Sequence, residues 1–420
     1  MGIKACYVLP HPPIMIQEIG GDEARMVTAT IEACERVGKE IKDISPETIV
    51  IISPHGPVFQ DALCIYDFNL KGNLRTFGAP QVSMEFSQDL DLKNKILKIG
   101  REKRIPIVTT QDVQITEYGM SEELDHGVTV PMYFVNKWAK DFNLLPIAFG
   151  MLSYEELYIF GKVISQAAEA LNKKIVVIAS SDLSHRLTQD APAGFDPLGK
   201  VFDERLVSLL KHFDILGLAE LERPLIEKAG ECGLRSIWVM AGALDGYKVD
   251  PKVLSYEGPF GVGYCVARFK PKGQDISLVK SLIEKRQNQI KYIRAKEDPY
   301  VMLARMTLEE YVRNGCKPVI PKNLPKEMLE NKAGVFVSIK KHGELRGCIG
   351  TFLPTTENIA EEIQRNAISA GCDDPRFEPV DKNELSDLVY SVDILTKPKP
   401  IDSLDDLDPK RYGVIVKKGF

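Results

Sequence analysis

The sequence predicts two domains: an α/β domain with a mostly parallel central sheet, then a smaller α+β domain. Three observations predict this. At 420 residues the chain exceeds what one hydrophobic core usually serves. Up to about residue 270, continuous Val/Ile runs alternate with helical stretches, the pattern of strands buried on both faces. Beyond the charged turn Lys270-Pro271-Lys272-Gly273, the strands alternate apolar and polar residues around short turns.

The elements follow in order. Ile3–Leu9 reads as a strand, and Glu23–Lys42 as a helix with an apolar stripe at helical spacing. Thr48–Ser53, Ile105–Thr109 and Leu144–Phe149 read as strands, Tyr154–Leu171 as a helix, and Lys174–Ser180 as another buried strand. Glu231–Leu244 is an expected helix, and Val249–Tyr256 and Val262–Phe269 close the domain around Gly258-Pro259. This sets a first domain at 1–270, a helical linker at 271–298 and a second domain at 299–420.

In the linker, Leu278–Arg294 carries apolar residues on one side, and Lys280, Lys285, Arg286, Lys291 and Lys296 lie opposite, a solvated helix face or else a binding surface for an acidic partner. Pro299–Asn314 opens the second domain as an amphipathic helix. Val335–Lys340 and Leu345–Gly350 form a hairpin around His342-Gly343, Glu357–Ser369 is helical, and Leu388–Leu395 is a strand. Val414–Val416 reads as the start of a further strand, and Lys417-Lys418-Gly419 as a turn. The second domain is therefore expected to be incomplete at Phe420.

Composition excludes several classes. A hydrophobic fraction of 44%, a charged fraction of 27% and a net charge of −5 with both signs well mixed describe an ordinary globular chain. No basic patch suggests nucleic acid, and no apolar stretch approaches the ~20 residues that span a bilayer. With no signal-like N-terminus, the expected location is cytoplasmic. The eight cysteines contain no Cys-x-x-Cys pair, which argues against a structural zinc site and a disulfide framework.

The chemistry-bearing residues sit at strand ends. Of six histidines, His11 follows the first strand, His55 the Thr48–Ser53 strand and His185 the Lys174–Ser180 strand. In an open α/β sheet, ligands bind outside the carboxyl ends of the strands, so these side chains are expected to converge on a metal or acid/base centre. His126, before Gly127, is a further candidate, whereas His212 and His342 read as surface residues. Ser181 and Asp182 offer His185 partners that fix its tautomer. A ferrous site of two imidazoles and one carboxylate needs an acid, and Glu231 and Glu257 are the two candidates.

Over residues 1–270 the chain resembles the class III extradiol ring-cleaving dioxygenases, the LigB-like superfamily that includes the Memo proteins. The resemblance rests on Pro10-His11-Pro12-Pro13, Ser53-Pro54-His55-Gly56, Asp125-His126-Gly127 with Pro131-Met132, Ser180-Ser181-Asp182-Leu183-Ser184-His185, and Glu231 ahead of Trp238 to Leu244. It implies Fe(II), with zinc or another divalent ion as the alternative, held by His11, His55 and Glu231. It also implies His185 as acid/base, His126 as a contact to substrate or oxygen, a small aromatic substrate, and pairing into a homo-oligomer. Memo proteins replace the glutamate position, and Cys232 beside Glu231 keeps that variant open.

Residues 299–420 resemble the AMMECR family through Leu345-Arg346-Gly347-Cys348-Ile349-Gly350-Thr351, Asp373-Asp374-Pro375-Arg376-Phe377 and Ser391-Val392-Asp393-Ile394-Leu395. That family's activity is not established; Cys348 beside Arg346 is a candidate activated thiol, with a buried structural cysteine as the alternative. The pairing of domains resembles the AmmeMemoRadiSam system, which implies a radical SAM protein as a partner. Three functions are carried forward: an extradiol-type oxidoreductase, a Memo-like metal- or peptide-binding protein without ring cleavage, and a zinc-dependent hydrolase with His185 as base.

Overall fold

A computed structural model describes residues 2–401, 403, 408 and 413–416. The chain divides into two compact units, Met1–Ile283 and Glu284–Phe420.

The first unit is built on an eight-stranded sheet. Its strands are β1 (Gly2–Leu9), β2 (Thr48–Ser53), β3 (Leu63–Ile65), β6 (Ile107–Thr109), β7 (Asn143–Ala148), β8 (Lys174–Ser180), β9 (Tyr247–Glu257) and β10 (Tyr264–Gln274). Two further strands, β4 (Lys71–Leu74) and β5 (Ala79–Glu85), form a separate antiparallel hairpin. The order is β6-β3-β7-β2-β8-β1-β10-β9, and the central run β7-β2-β8-β1 is parallel throughout. Antiparallel β10 and β9 close one side, and β3 runs antiparallel to β7 on the other.

Alternation along the central strands explains the unbroken Val/Ile runs. Cys6, Val8, Val50, Ile52, Ile175 and Val177 enter one core. Ala5, Tyr7, Leu9, Ile49, Ile51, Val176 and Ile178 enter the other. Each strand thus buries both faces between helical layers. Helices Tyr154–Ala170 and Leu234–Ala243 share the first core, and helices Thr28–Ile44 and His126–Asn136 the second. Ser153 and Glu156 form a reciprocal capping box that starts the 154–170 helix. Glycine allows that helix to lie against 234–243: a Cβ on Gly161 would stand 1.9 Å from the Val239 carbonyl oxygen, and one on Gly242 1.8 Å from that of Tyr158.

The second unit has three antiparallel strands in the order β12 (Glu344–Gly350), β11 (Val335–Lys341), β13 (Leu388–Ile394). Helices Pro299–Asn314 and Ile359–Cys372 contribute to its core. His342 and Gly343, at φ 53° and 85°, make the left-handed turn that the hairpin needs.

Several sequence expectations shift. The predicted helix at 23–42 is a 3₁₀ segment, Glu23–Val27, followed by the α-helix Thr28–Ile44. The helix expected from Glu231 starts at Leu234. Val414–Val416 is not a strand: its side chains are exposed and no partner ladder forms among the described residues. The turn expected at Lys417-Lys418-Gly419 lies outside the described residues. Among the described residues, no helix is long and apolar enough to cross a membrane.

Candidate metal centre

Register places the site. Leu9 of β1 pairs with Ser180 of β8, and Ile52 of β2 with Ala179, so the three strands end level with one another. β8 lies between β1 and β2 in the sheet although it follows both in sequence, which makes a switch-point crevice at their carboxyl ends. His11 and His55 each stand two residues past a strand end.

The imidazoles meet there. His11 Nε2 and His55 Nε2 are 3.0 Å apart, and Cys232 Sγ lies 3.5 Å from His11 Nε2. These three donor atoms all fall within 4.8 Å of one another. His126 stacks on His55 with ring centroids 4.0 Å apart at 26°, and Phe77 meets His126 edge-on at 5.3 Å. His185 lies near enough that a proton on its ring would disfavour one on His11 or His55.

Each ring is held by its neighbours. His11 is buried, its Nδ1 pairs with Ser180 Oγ at 2.8 Å, and its backbone N–H donates to Asp182 Oδ1 at 2.9 Å. With Nδ1–H donating to Ser180, Nε2 keeps its lone pair for the cluster. Asp182 Oδ2 approaches the same Nε2 at 3.5 Å. Ser180 is therefore the serine that orients His11; the sequence pointed to Ser181 and Asp182 as partners of His185, but Asp182 is turned to His11 instead because β1 and β8 lie side by side. Ser181 Oγ is buried with no protein hydrogen-bond partner.

Burial sets the electrostatics. It drives His11 well below its usual range, with the neighbouring imidazoles adding to the effect. His55 is lowered to about 4, by burial first and then by His126. Burial also lowers His126 and His185. Burial pushes the Asp182 carboxyl up to about 7, partly offset by the His11 N–H bond. The Cys232 thiol is raised well above its normal range by burial, then by Asp182 and Glu231. The rings are thus neutral near pH 7, as metal ligation requires, while a cation's charge favours the thiolate. Two imidazoles, a soft sulfur and an orphaned buried hydroxyl nearby fit a transition-metal ion.

Glu231, expected as the third ligand, is not in this group. Its Oε2 accepts the Leu234 N–H at 2.6 Å, satisfying a free donor at the start of the 234–243 helix. Gly230, at φ 62°, ends the preceding helix Arg223–Ala229. Cys232, one residue past Glu231, brings its sulfur to the histidines. Gly233 permits this approach, since a Cβ there would stand 1.7 Å from Ser181 Oγ. Glu257 is engaged elsewhere: its Oε1 accepts the backbone N–H and the hydroxyl of Thr30 at 2.7 and 2.5 Å.

A cleft of about 370 Å³ opens beside His55 and His126, with Tyr66, Phe68, Phe77 and Met120 among its apolar walls. Arg75 bridges to both carboxylate oxygens of Glu123 at 2.6 and 2.8 Å at its margin.

In the second unit, Arg346 is bound through Nε and Nη2 to Glu384, at 3.0 and 2.8 Å. Cys348 Sγ faces Ser338 Oγ at 3.2 Å. The Cys348 N–H donates to Asp374 Oδ2 at 2.9 Å, and Arg376 Nη2 donates to the Cys348 carbonyl at 3.1 Å. Asp374 and Arg376 thereby close the open edge of β12 at this residue, which accounts for two sequence signatures lying side by side.

Comparison with known proteins accords with this architecture. A family profile described as the catalytic LigB subunit of aromatic ring-opening dioxygenase matches residues 5–267. The chain belongs to the LigB family. Its LigB domain is followed by an AMMECR1 domain, matched over residues 301–420. A Clostridium acetobutylicum protein is 44% identical over 421 residues, covering 100% of this LigB-family chain and 90% of its own length. A Thermotoga maritima protein is 52% identical over 125 residues, 30% of this chain and 72% of the relative. The crystal structure of an uncharacterized Pyrococcus horikoshii protein shares 37% identity, covering 27% of this chain and 57% of that one, at a TM-score of 0.24.

Proposed function

We propose that the LigB domain is a metal-dependent oxidoreductase of the ring-opening type, holding Fe(II) on His11, His55 and Cys232 and acting on a small aromatic molecule. The observation that carries this reading is the meeting of three donor atoms from separate loops within 4.8 Å, at the carboxyl ends of a parallel sheet. Bound iron would supply Lewis acidity and electron transfer toward substrate and dioxygen.

The chain's own groups do the rest. Ser180 and Asp182 hold His11 with Nε2 turned to the cluster. The cleft walls Phe68 and Phe77 offer apolar faces that suit a flat ring. His185 and His126, both lowered by burial, are neutral at pH 7 and can each take a substrate hydroxyl proton as general base. Chain purified without air and supplied with Fe(II) should hold about one iron and consume oxygen with some member of a catechol panel. Failure to retain any divalent metal would sink this reading.

A second reading is favoured by one observation: a thiol stands where the ring-cleaving site calls for a carboxylate. A sulfur donor also suits zinc or copper. On this reading the domain binds its metal without opening rings and works with a radical SAM partner through the two-domain chain. Stoichiometric metal with no oxygen uptake across the panel would select it.

A further inference from the structure

Asp125 immediately precedes the helix that begins with His126, but its carboxylate makes no capping bond there. Its Oδ1 instead accepts the Ser53 hydroxyl at 2.6 Å, and its Oδ2 accepts the Tyr66 hydroxyl. Ser53 is the last residue of β2, and its Oγ in turn accepts the backbone N–H of His55 at 3.2 Å. Tyr66 follows β3 directly and presses on the next residue of the histidine loop, where a Cβ on Gly56 would stand 1.8 Å from the phenolic oxygen. One carboxylate therefore joins the end of β2, the segment after β3 and the start of the 126–136 helix. The stacked pair His55 and His126 is carried by the elements it joins.

We propose that Asp125, acting through Ser53 and Tyr66, is the positioning residue that aims His55 at the metal and keeps His126 stacked on it. This rests on reading His11, His55 and Cys232 as metal ligands. Neither His55 nor His126 has a side-chain bond to Asp125, so the carboxylate acts on backbone placement rather than as a ligand partner. A helix-start aspartate that gives up its usual capping bond for two hydroxyls of neighbouring segments has its geometry set by the site, not by the helix. Partners of this kind set metal affinity by fixing ligand direction.

The test is a Co(II) titration of the full chain followed by visible absorption, comparing wild type with Asp125→Ala, Asp125→Asn and Tyr66→Phe. Asp125→Ala should bind cobalt about 10–100-fold more weakly, with its absorption bands shifted because His55 meets the ion from a new direction. Asp125→Asn, which keeps one acceptor oxygen, should recover part of the affinity. Tyr66→Phe should weaken binding by a smaller factor and move the bands the same way, which keeps the test decisive if the alanine variant does not fold. Wild-type affinity and band positions in both Asp125→Ala and Tyr66→Phe would overturn the proposal. So would weaker binding with unmoved bands, the mark of a merely structural role. A wild-type chain that takes no cobalt would remove the metal reading itself, and the positioning role with it.

Discussion

Two adjacent residues, Glu231 and Cys232, separate what the chain advertises from what it does. The carboxylate satisfies a helix-start N–H while the thiol reaches the imidazoles, because Gly230 and Gly233 set the loop path between two helices. Cys232→Ala should therefore lower metal affinity by at least the ~10–100-fold seen for changes around metal ligands. Glu231→Ala should keep the metal and cost about 1 kcal/mol of stability, as a lost cap does. Metal content by elemental analysis and denaturant midpoints check both. The reverse pattern would return Glu231 to the ligand set. Nothing in the one-dimensional sequence distinguishes these neighbours, since a carboxylate and a thiol are both competent donors.

At the scale of elements, the site depends on loops being drawn together by close contacts. Gly233 lies against Ser181, so the loop bearing Cys232 and the end of β8 approach to a distance that no side chain allows. Gly233→Ala should separate them, costing about 1–3 kcal/mol as overpacking does and weakening the metal at the same time. Thermal melting and metal titration of that variant should change together; a stable variant with full metal affinity would refute the account. The strand ends and the helices between them were legible, because Val/Ile runs and apolar stripes have distinct periods. The position of β8 between β1 and β2 was not, because strand order follows from long-range packing of faces that look alike in sequence.

At the scale of the whole molecule, the two units should respond separately. Metal held at the proposed site would stabilise the folded LigB unit, by about 2.7 kcal/mol at a hundredfold excess over Kd. Calorimetry should thus show one transition rising with added Fe(II) or Co(II) while the other stays in place. Acid should act on the second unit. Glu362 is buried; burial raises its carboxyl, but hydrogen bonds from Thr355, Thr351 and Thr356 outweigh this and hold it at about 2. Glu384 is likewise brought to about 2, the bonds from Arg346, Asp381 and Lys341 overcoming burial. Their folded values lie below the ordinary glutamate value, so the unfolded state binds protons first as pH falls. Their stabilisation is complete above about pH 4.5 and is lost as pH drops toward 2. Unfolding midpoints of Glu362→Gln, measured from pH 6 to 3, should fall less steeply than those of wild type.

The α/β domain, the α+β domain after it and the histidines just past three strand ends were all readable along the chain. Those features are local: they come from side-chain periodicity and from motifs a few residues long. Three-dimensional packing was needed to insert β8 between β1 and β2, to stand Cys232 with the histidines, and to let Asp125 tie their loops through Ser53 and Tyr66. These depend on which distant surfaces bury against each other, on the backbone direction set at Gly230 and on the close approach that Gly233 allows, and such contacts leave no periodic trace along the chain.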